Sequence, residues 1–196
     1  ITMKKLPKAD LNKFIKVLMD NYRVLAPVEV DAMFFFKEIR APEEVNLNCL
    51  NSKVPPKGVL FPQSETLFRY RREEGKVSLA STEDVEKGTV LLGVRPCDVK
   101  SLQLLDLIFD GEEYKDVYFV NKRKNTVLVG VGCASPRAAC FCTSFGIGPF
   151  FKEGCDLFFT DIGDWWLVDS LTNKGEELLK SCLLYTSPSP RDRQKT

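Results

Sequence analysis

The sequence predicts an α/β (or α+β) protein: a mixed sheet with a βαβ unit at about residues 90–131 and a C-terminal hairpin. Three observations carry that reading. Two continuous apolar runs, Val90–Val94 and Val127–Val131, have the unbroken character of strands buried on both faces. Between them "CDVKSLQLLDLIFDG" repeats apolar residues at helical spacing, so strand, helix and strand follow in the order of a parallel βαβ unit. Further on, "CDLFFTDIGDWWLVD" sets two apolar segments about Gly163 and Asp164, the pattern of a hairpin.

The elements follow in chain order. The opening "ITMKKLPKAD" has two lysines but no apolar stretch behind them, so it does not read as a secretory signal; its first residue suggests a reading frame cut upstream. "KADLNKFIKVLMDNY" predicts a helix with Asp10 as N-cap and Leu11, Phe14, Ile15 and Leu18 on one face. Pro27 is expected to end that region. "VEVDAMFFFKEI" reads as strand, with Phe34, Phe35 and Phe36 in the core. The prolines of "NSKVPPKGVLFPQSE" predict an extended segment laid over the surface. "ETLFRYRREEG" reads as a short amphipathic piece whose charge run, Arg69–Glu74, forms a solvated face, and "KVSLAS" as a strand. Gly88 precedes the first buried run. Asp98 is expected to cap the helix after it, with Val99, Leu102, Leu105 and Ile108 along one side. "NKGEELLKS" predicts a short helix near the end.

Composition narrows the function. The 196 residues are 44% hydrophobic and 28% charged, ordinary for a globular chain. With 28 basic and 27 acidic residues, neither sign dominates, and nothing favours nucleic acid or an anionic membrane as partner. No apolar run approaches a membrane span. The seven cysteines are an odd number without a secretion signal, so free thiols in a reducing, cytoplasmic setting are expected rather than a disulfide scaffold. The absence of histidine removes Ser-His-Asp and Cys-His catalysis, Cys₂His₂ zinc sites and histidine-ligated haem.

What remains is cysteine chemistry. Functional groups of a parallel α/β sheet gather outside the carboxyl ends of its strands. Cys97 lies just past the first buried run, Cys133 just past the second, and Cys140 and Cys142 follow in "GVGCASPRAACFC". Four thiols are thus expected at one sheet edge, within one small cavity. That is the ligand inventory of a cubane iron–sulfur cluster or a closed zinc site, although the C-x-C pair departs from the usual zinc spacing. A thiol redox pair at Cys140 and Cys142 and simple packing are the alternatives. Amides at the start of the helix after Cys97 would lower its thiol pKa. Arg95 offers either charge neutralisation for a cluster or a surface ion pair. Cys49 and Cys155 have no partners at sensible spacing and are expected to pack. "GVGCAS" lacks the third glycine of a dinucleotide fingerprint, and "FGIGPF" is a glycine loop open to close approach.

At "GVRPCDVKSLQLLD", "NTVLVGVGCASPRAACFCTSFGIGP" and "GCDLFFTDIGDWWLVDSLTNKGEELL" the chain resembles a family of dicluster ferredoxin-like electron-transfer proteins. That family contains the sulfhydrogenase beta subunits together with the corresponding electron carrier of anaerobic sulfite reductase. "PPKGVLFPQSETLFRY" matches the same family upstream, so the resemblance covers roughly residues 5–180. It implies electron transfer between a catalytic subunit of the sulfite reductase or hydrogenase type and a subunit that binds flavin or NAD(P)H. It also implies a 4Fe–4S iron–sulfur cofactor, for which Cys97, Cys133, Cys140 and Cys142 are the candidate ligands here. The family usually ends in a ferredoxin module with C-x₂-C-x₂-C-x₃-C-P runs, and this sequence has none. The tail "CLLYTSPSPRDRQKT", residues 182–196, shifts abruptly to Ser, Pro and Arg and resembles adapter-derived sequence. Residues 1–181 are therefore expected to form the N-terminal domain of an electron-transfer subunit, with the ferredoxin module missing.

Overall fold

Burial of Thr89–Val94 and Thr126–Val131 along their whole length decides the architecture, because a strand covered on both faces needs a layer on each side. The computed structural model describes residues 2–73, 76–81 and 87–181. The chain begins with strand β1 (Thr2–Pro7), helix α1 (Leu11–Asn21), and strands β2 (Arg23–Val30) and β3 (Met33–Glu38). Strands β4 (Phe68–Glu73), β5 (Lys76–Ser81) and β6 (Thr89–Val94) come next, then helices α2 (Pro96–Phe109) and α3 (Val117–Lys124). Strands β7 (Thr126–Val131), β8 (Leu157–Asp161) and β9 (Trp165–Ser170) and helix α4 (Asn173–Ser181) complete the described elements.

Seven strands form one mixed sheet in the order β1-β9-β8-β7-β6-β2-β3. Its centre, β2, β6, β7 and β8, is parallel, and the flanking pairs are antiparallel. The predicted βαβ unit and C-terminal hairpin are both present, although two helices rather than one join β6 to β7. Phe14, Ile15 and Leu18 of α1 and Leu178 and Leu179 of α4 pack on one face. Val99 and Leu102 of α2 and Phe119 and Val120 of α3 pack on the other. Three layers result.

Local chemistry departs from the sequence reading at several points. Pro27 lies inside β2 instead of ending an element. It is tolerated because β2 pairs with β6 only from Arg23 to Leu25, so the position needs no N–H on that side. The Pro27 carbonyl accepts from Asn46 N at 2.9 Å, and β2 and β3 form a hairpin turned by Asp31 and Ala32, both at positive φ. Phe36 is buried, but Phe34 and Phe35, nearer the turn of this hairpin, are only half-buried. Asp10 holds the N-cap position of α1 but makes no cap bond; it pairs with Lys13 at 2.7 Å. The proline-rich segment includes a short 3₁₀ turn, Pro56–Val59, and delivers buried Leu60 to the α2 side. "FRYRRE" is strand, and Arg69–Glu73 is solvated as expected, whereas Glu74 lies outside the described residues. The tail from 182 onward also lies outside them. On α2, Val99 and Leu102 are buried, but Ile108 faces solvent.

The register of β6 carries one irregularity that matters for the site. A bulge lies between Leu92 and Val94, at Gly93, whose φ is +84°. Val90 and Leu92 face the α1/α4 layer, and Leu91 faces α2 and α3. Strict alternation would return Val94 to the α1/α4 side, yet it joins the α2/α3 core. The reversal offers the next residue, Arg95, to the opposite face.

At the far end, Asp156 fastens α4. Its carboxylate accepts from Leu128 N at 2.8 Å and Thr172 Oγ1 at 2.6 Å. A Cβ at Gly175 would lie 2.2 Å from the Asp156 carbonyl oxygen. Gly175→Ala is therefore expected to destabilise the protein by roughly 1–3 kcal/mol, because backbone overlap outweighs the gain in helix propensity of at most about 1 kcal/mol. Urea unfolding of the two proteins measures the difference.

Candidate functional site

The carboxyl ends of β6 and β7 lie side by side, and the chain leaves both with a thiol two or three residues on. Cys97 sits in the first turn of α2, after Arg95 and Pro96; Cys133 follows Gly132. The two thiols are close enough to act electrostatically on each other and on Arg95. The expected placement at one sheet edge holds for this pair.

The segment after Cys133 is irregular and largely exposed, with its turns held by local bonds. Gly132 N donates to Phe159 O at 2.9 Å and Cys133 N to Pro149 O at 2.9 Å, which ties its two ends to the sheet. Cys140 N donates to Arg137 O at 3.0 Å, and Arg137 N returns a bond to Cys140 Sγ at 3.2 Å. Cys142 opens a 3₁₀ turn, Cys142–Phe145, that Gly146 ends in the left-handed region. Ile147 is the buried anchor of this segment. Cys140 is exposed and Cys142 half-buried, while Cys49 and Cys155 are buried, as expected for packing residues. Among the described residues, no three of His, Cys, Asp and Glu stand together as a ligand set for a metal ion. The donors suit a thiophilic centre in kind; as placed, they do not enclose one.

Arg95 makes no surface ion pair among the described residues. It is only 6% exposed. Its Nε donates to Cys49 O at 2.7 Å, Nη1 to Gly132 O at 2.6 Å and Val131 O at 3.4 Å, and Nη2 to Leu47 O at 2.5 Å and to Cys49 O. The planar fork thus bridges the end of β7 to the segment 47–49. A buried cation is costly without compensation, and here backbone dipoles supply it. Burial draws the guanidinium pKa below its ordinary value, while Cys133, Cys49, Asp98 and Cys97 act in the opposite sense.

Asp98 is not the N-cap; Arg95 is, and Asp98 stands at the third helical position. The Arg95 backbone amide favours the ionised Asp98 carboxylate. Burial nevertheless raises the Asp98 pKa, with the amide and the guanidinium opposing. Cys97 reverses another expectation. Although the residue has an exposed surface, desolvation pushes its thiol up to about 11, and the Asp98 carboxylate adds to the rise. The amides of Asp98 and Cys97 do lower it, but they are outweighed. A neutral thiol at neutral pH is a poor nucleophile.

Sequence similarity supplies what the geometry alone does not. The chain is 29% identical over 167 residues to sulfhydrogenase 2 subunit beta of Pyrococcus furiosus, covering 85% of this chain and 48% of the relative. The chain is thus similar to a sulfhydrogenase beta subunit. It spans about half the length of that curated relative. No family model matches the chain, and no solved structure matches it significantly. Sequence reasoning missed the fastening role of Arg95 and the turn made by Arg137. The first had a signal: an arginine at the end of an apolar strand, where a surface charge would be out of place.

Two outcomes follow. Arg95→Met should destabilise the protein by roughly 2–5 kcal/mol, because it leaves the carbonyls of Leu47, Cys49 and Gly132 without donors, and Arg95→Lys should recover only part of this. Urea midpoints decide it. Alkylation of Cys97 by iodoacetamide should rise about tenfold per pH unit from pH 7 towards 11, since reactivity follows the thiolate fraction. Mass spectrometry of the modified peptide gives the profile.

Proposed function

We propose that this chain is part of an electron-transfer subunit of a hydrogenase- or sulfhydrogenase-type redox complex. The observation that carries the reading is the similarity to a sulfhydrogenase beta subunit over 85% of the chain. In the proposal it passes electrons between a catalytic subunit of the complex and one that binds flavin or NAD(P)H. Cys97, Cys133, Cys140 and Cys142 are proposed to ligate a 4Fe–4S iron–sulfur cluster, which when bound would supply one-electron chemistry. Binding then requires the segment 133–149 to close on the start of α2. The chain's own residues support this in two ways. Cys97 and Cys133 share a sheet edge, and the buried Arg95 charge beside them favours an anionic centre. The six cysteines among the described residues are free, which suits a reducing, cytoplasmic setting. Among the same residues, no helix is long and apolar enough to cross a membrane.

Anaerobic purification and reconstitution with ferrous iron and sulfide tests the reading. About four irons and four sulfides per chain are expected. Cys97→Ser should lower or change the iron content, and Cys155→Ser should leave it unaltered. A folded chain that retains no iron, or that takes up zinc in its place, overturns the cluster assignment.

A further inference from the structure

The ribbon formed by β4 and β5 belongs to neither core. Its two strands pair only with each other, from Phe68↔Ser81 to Glu73↔Lys76. The register puts Phe68, Tyr70, Val77 and Leu79 on one face, at 59%, 70%, 62% and 71% exposure, with Arg72 beside Val77 at its end. Arg69, Arg71 and Lys76 share the other face with Ser78 and Glu73, and Arg71 reaches Glu73 at 3.5 Å in a wholly exposed pair. An isolated two-stranded ribbon is marginal in water, and such an exposed run of large apolar side chains marks an interaction surface. The base of the ribbon is fixed to the α2/α3 side, where Tyr118 Oη donates to Leu67 O at 2.9 Å.

We propose that β4 is a docking edge for a partner protein strand in which apolar and acidic residues alternate. The outer edge of β4 has no strand beside it among the described residues, so its outward N–H and C=O groups suit β-augmentation. A strand added there continues the pleat. Its residues on one face meet Phe68 and Tyr70, with Arg72 at the end, and those on the other meet Arg69 and Arg71, beyond which Glu73 is already paired with Arg71. Apolar side chains belong on the first face and carboxylates on the second. A six-residue strand of about 20 Å is a protein-sized contact rather than a small-molecule one. Charge argues against a second copy of the same edge, because antiparallel self-pairing would set arginines against arginines. This surface is independent of the thiols, so its failure would leave the electron-transfer reading untouched.

The test uses the full chain with two synthetic octapeptides, one alternating Glu and Val and one alternating Lys and Val. The Glu/Val peptide should bind about tenfold more tightly, the scale of two opposite-charge cross-strand pairs, and slow hydrogen exchange at residues 68–73. Arg69→Glu with Arg71→Glu, both solvent-exposed, should reverse the preference. Absence of protection by either peptide, or equal binding of both, overturns the proposal. A dimer by light scattering that Leu79→Asp abolishes also overturns it, in favour of a second copy as occupant.

Discussion

The guanidinium of Arg95 is the constraint on which the carboxyl edge of this sheet depends. One planar group holds the carbonyls of Leu47, Cys49, Val131 and Gly132, which come from segments far apart in sequence. The carbonyls supply dipoles rather than formal charge, so a positive charge remains inside the edge where Cys97 and Cys133 emerge. Its placement rests on Gly93. The bulge reverses the side-chain alternation of β6, and a Cβ at this glycine would come within 2.9 Å of Leu47 Cδ2. The same close approach lets Leu47 and Pro27 fill the gap where β2 leaves β6.

The central fold was legible because its signals are strong and local. Val90–Val94 and Val127–Val131 are unbroken apolar runs, and only a doubly covered parallel pair accommodates both. The hairpin about Gly163 declared itself by alternation. Less legible were positions where a tertiary neighbour overrides the local rule. Pro27 looks like an element boundary until the separation of β2 from β6 removes the need for its N–H. Phe34 and Phe35 look like core, but both lie near the turn end of the β2–β3 hairpin, where the layers cover them only in part. "FRYRRE" carries no clear strand signal apart from β5.

The site divides in the same manner. That Cys97 and Cys133 would share an edge follows from strand order alone, and it was foreseeable. Where Cys140 and Cys142 lie depends on the path of an irregular segment, which no periodicity encodes. The thiol pKa of Cys97 shows the same limit. The helix start lowers it, as sequence position implies, but the desolvation that outweighs the amides comes from packing.

The way Arg95 is held also sets how the molecule responds to ionic strength. Pairs such as Lys8–Asp161 and Arg23–Glu38 lie at partly exposed positions, and dissolved ions compete for them directly. Mobile ions have little access to a guanidinium enclosed by main-chain oxygens. Rising salt should therefore loosen the periphery while the edge carrying Cys97 and Cys133 keeps its shape. The chain has, in effect, a screened rim around an unscreened hub.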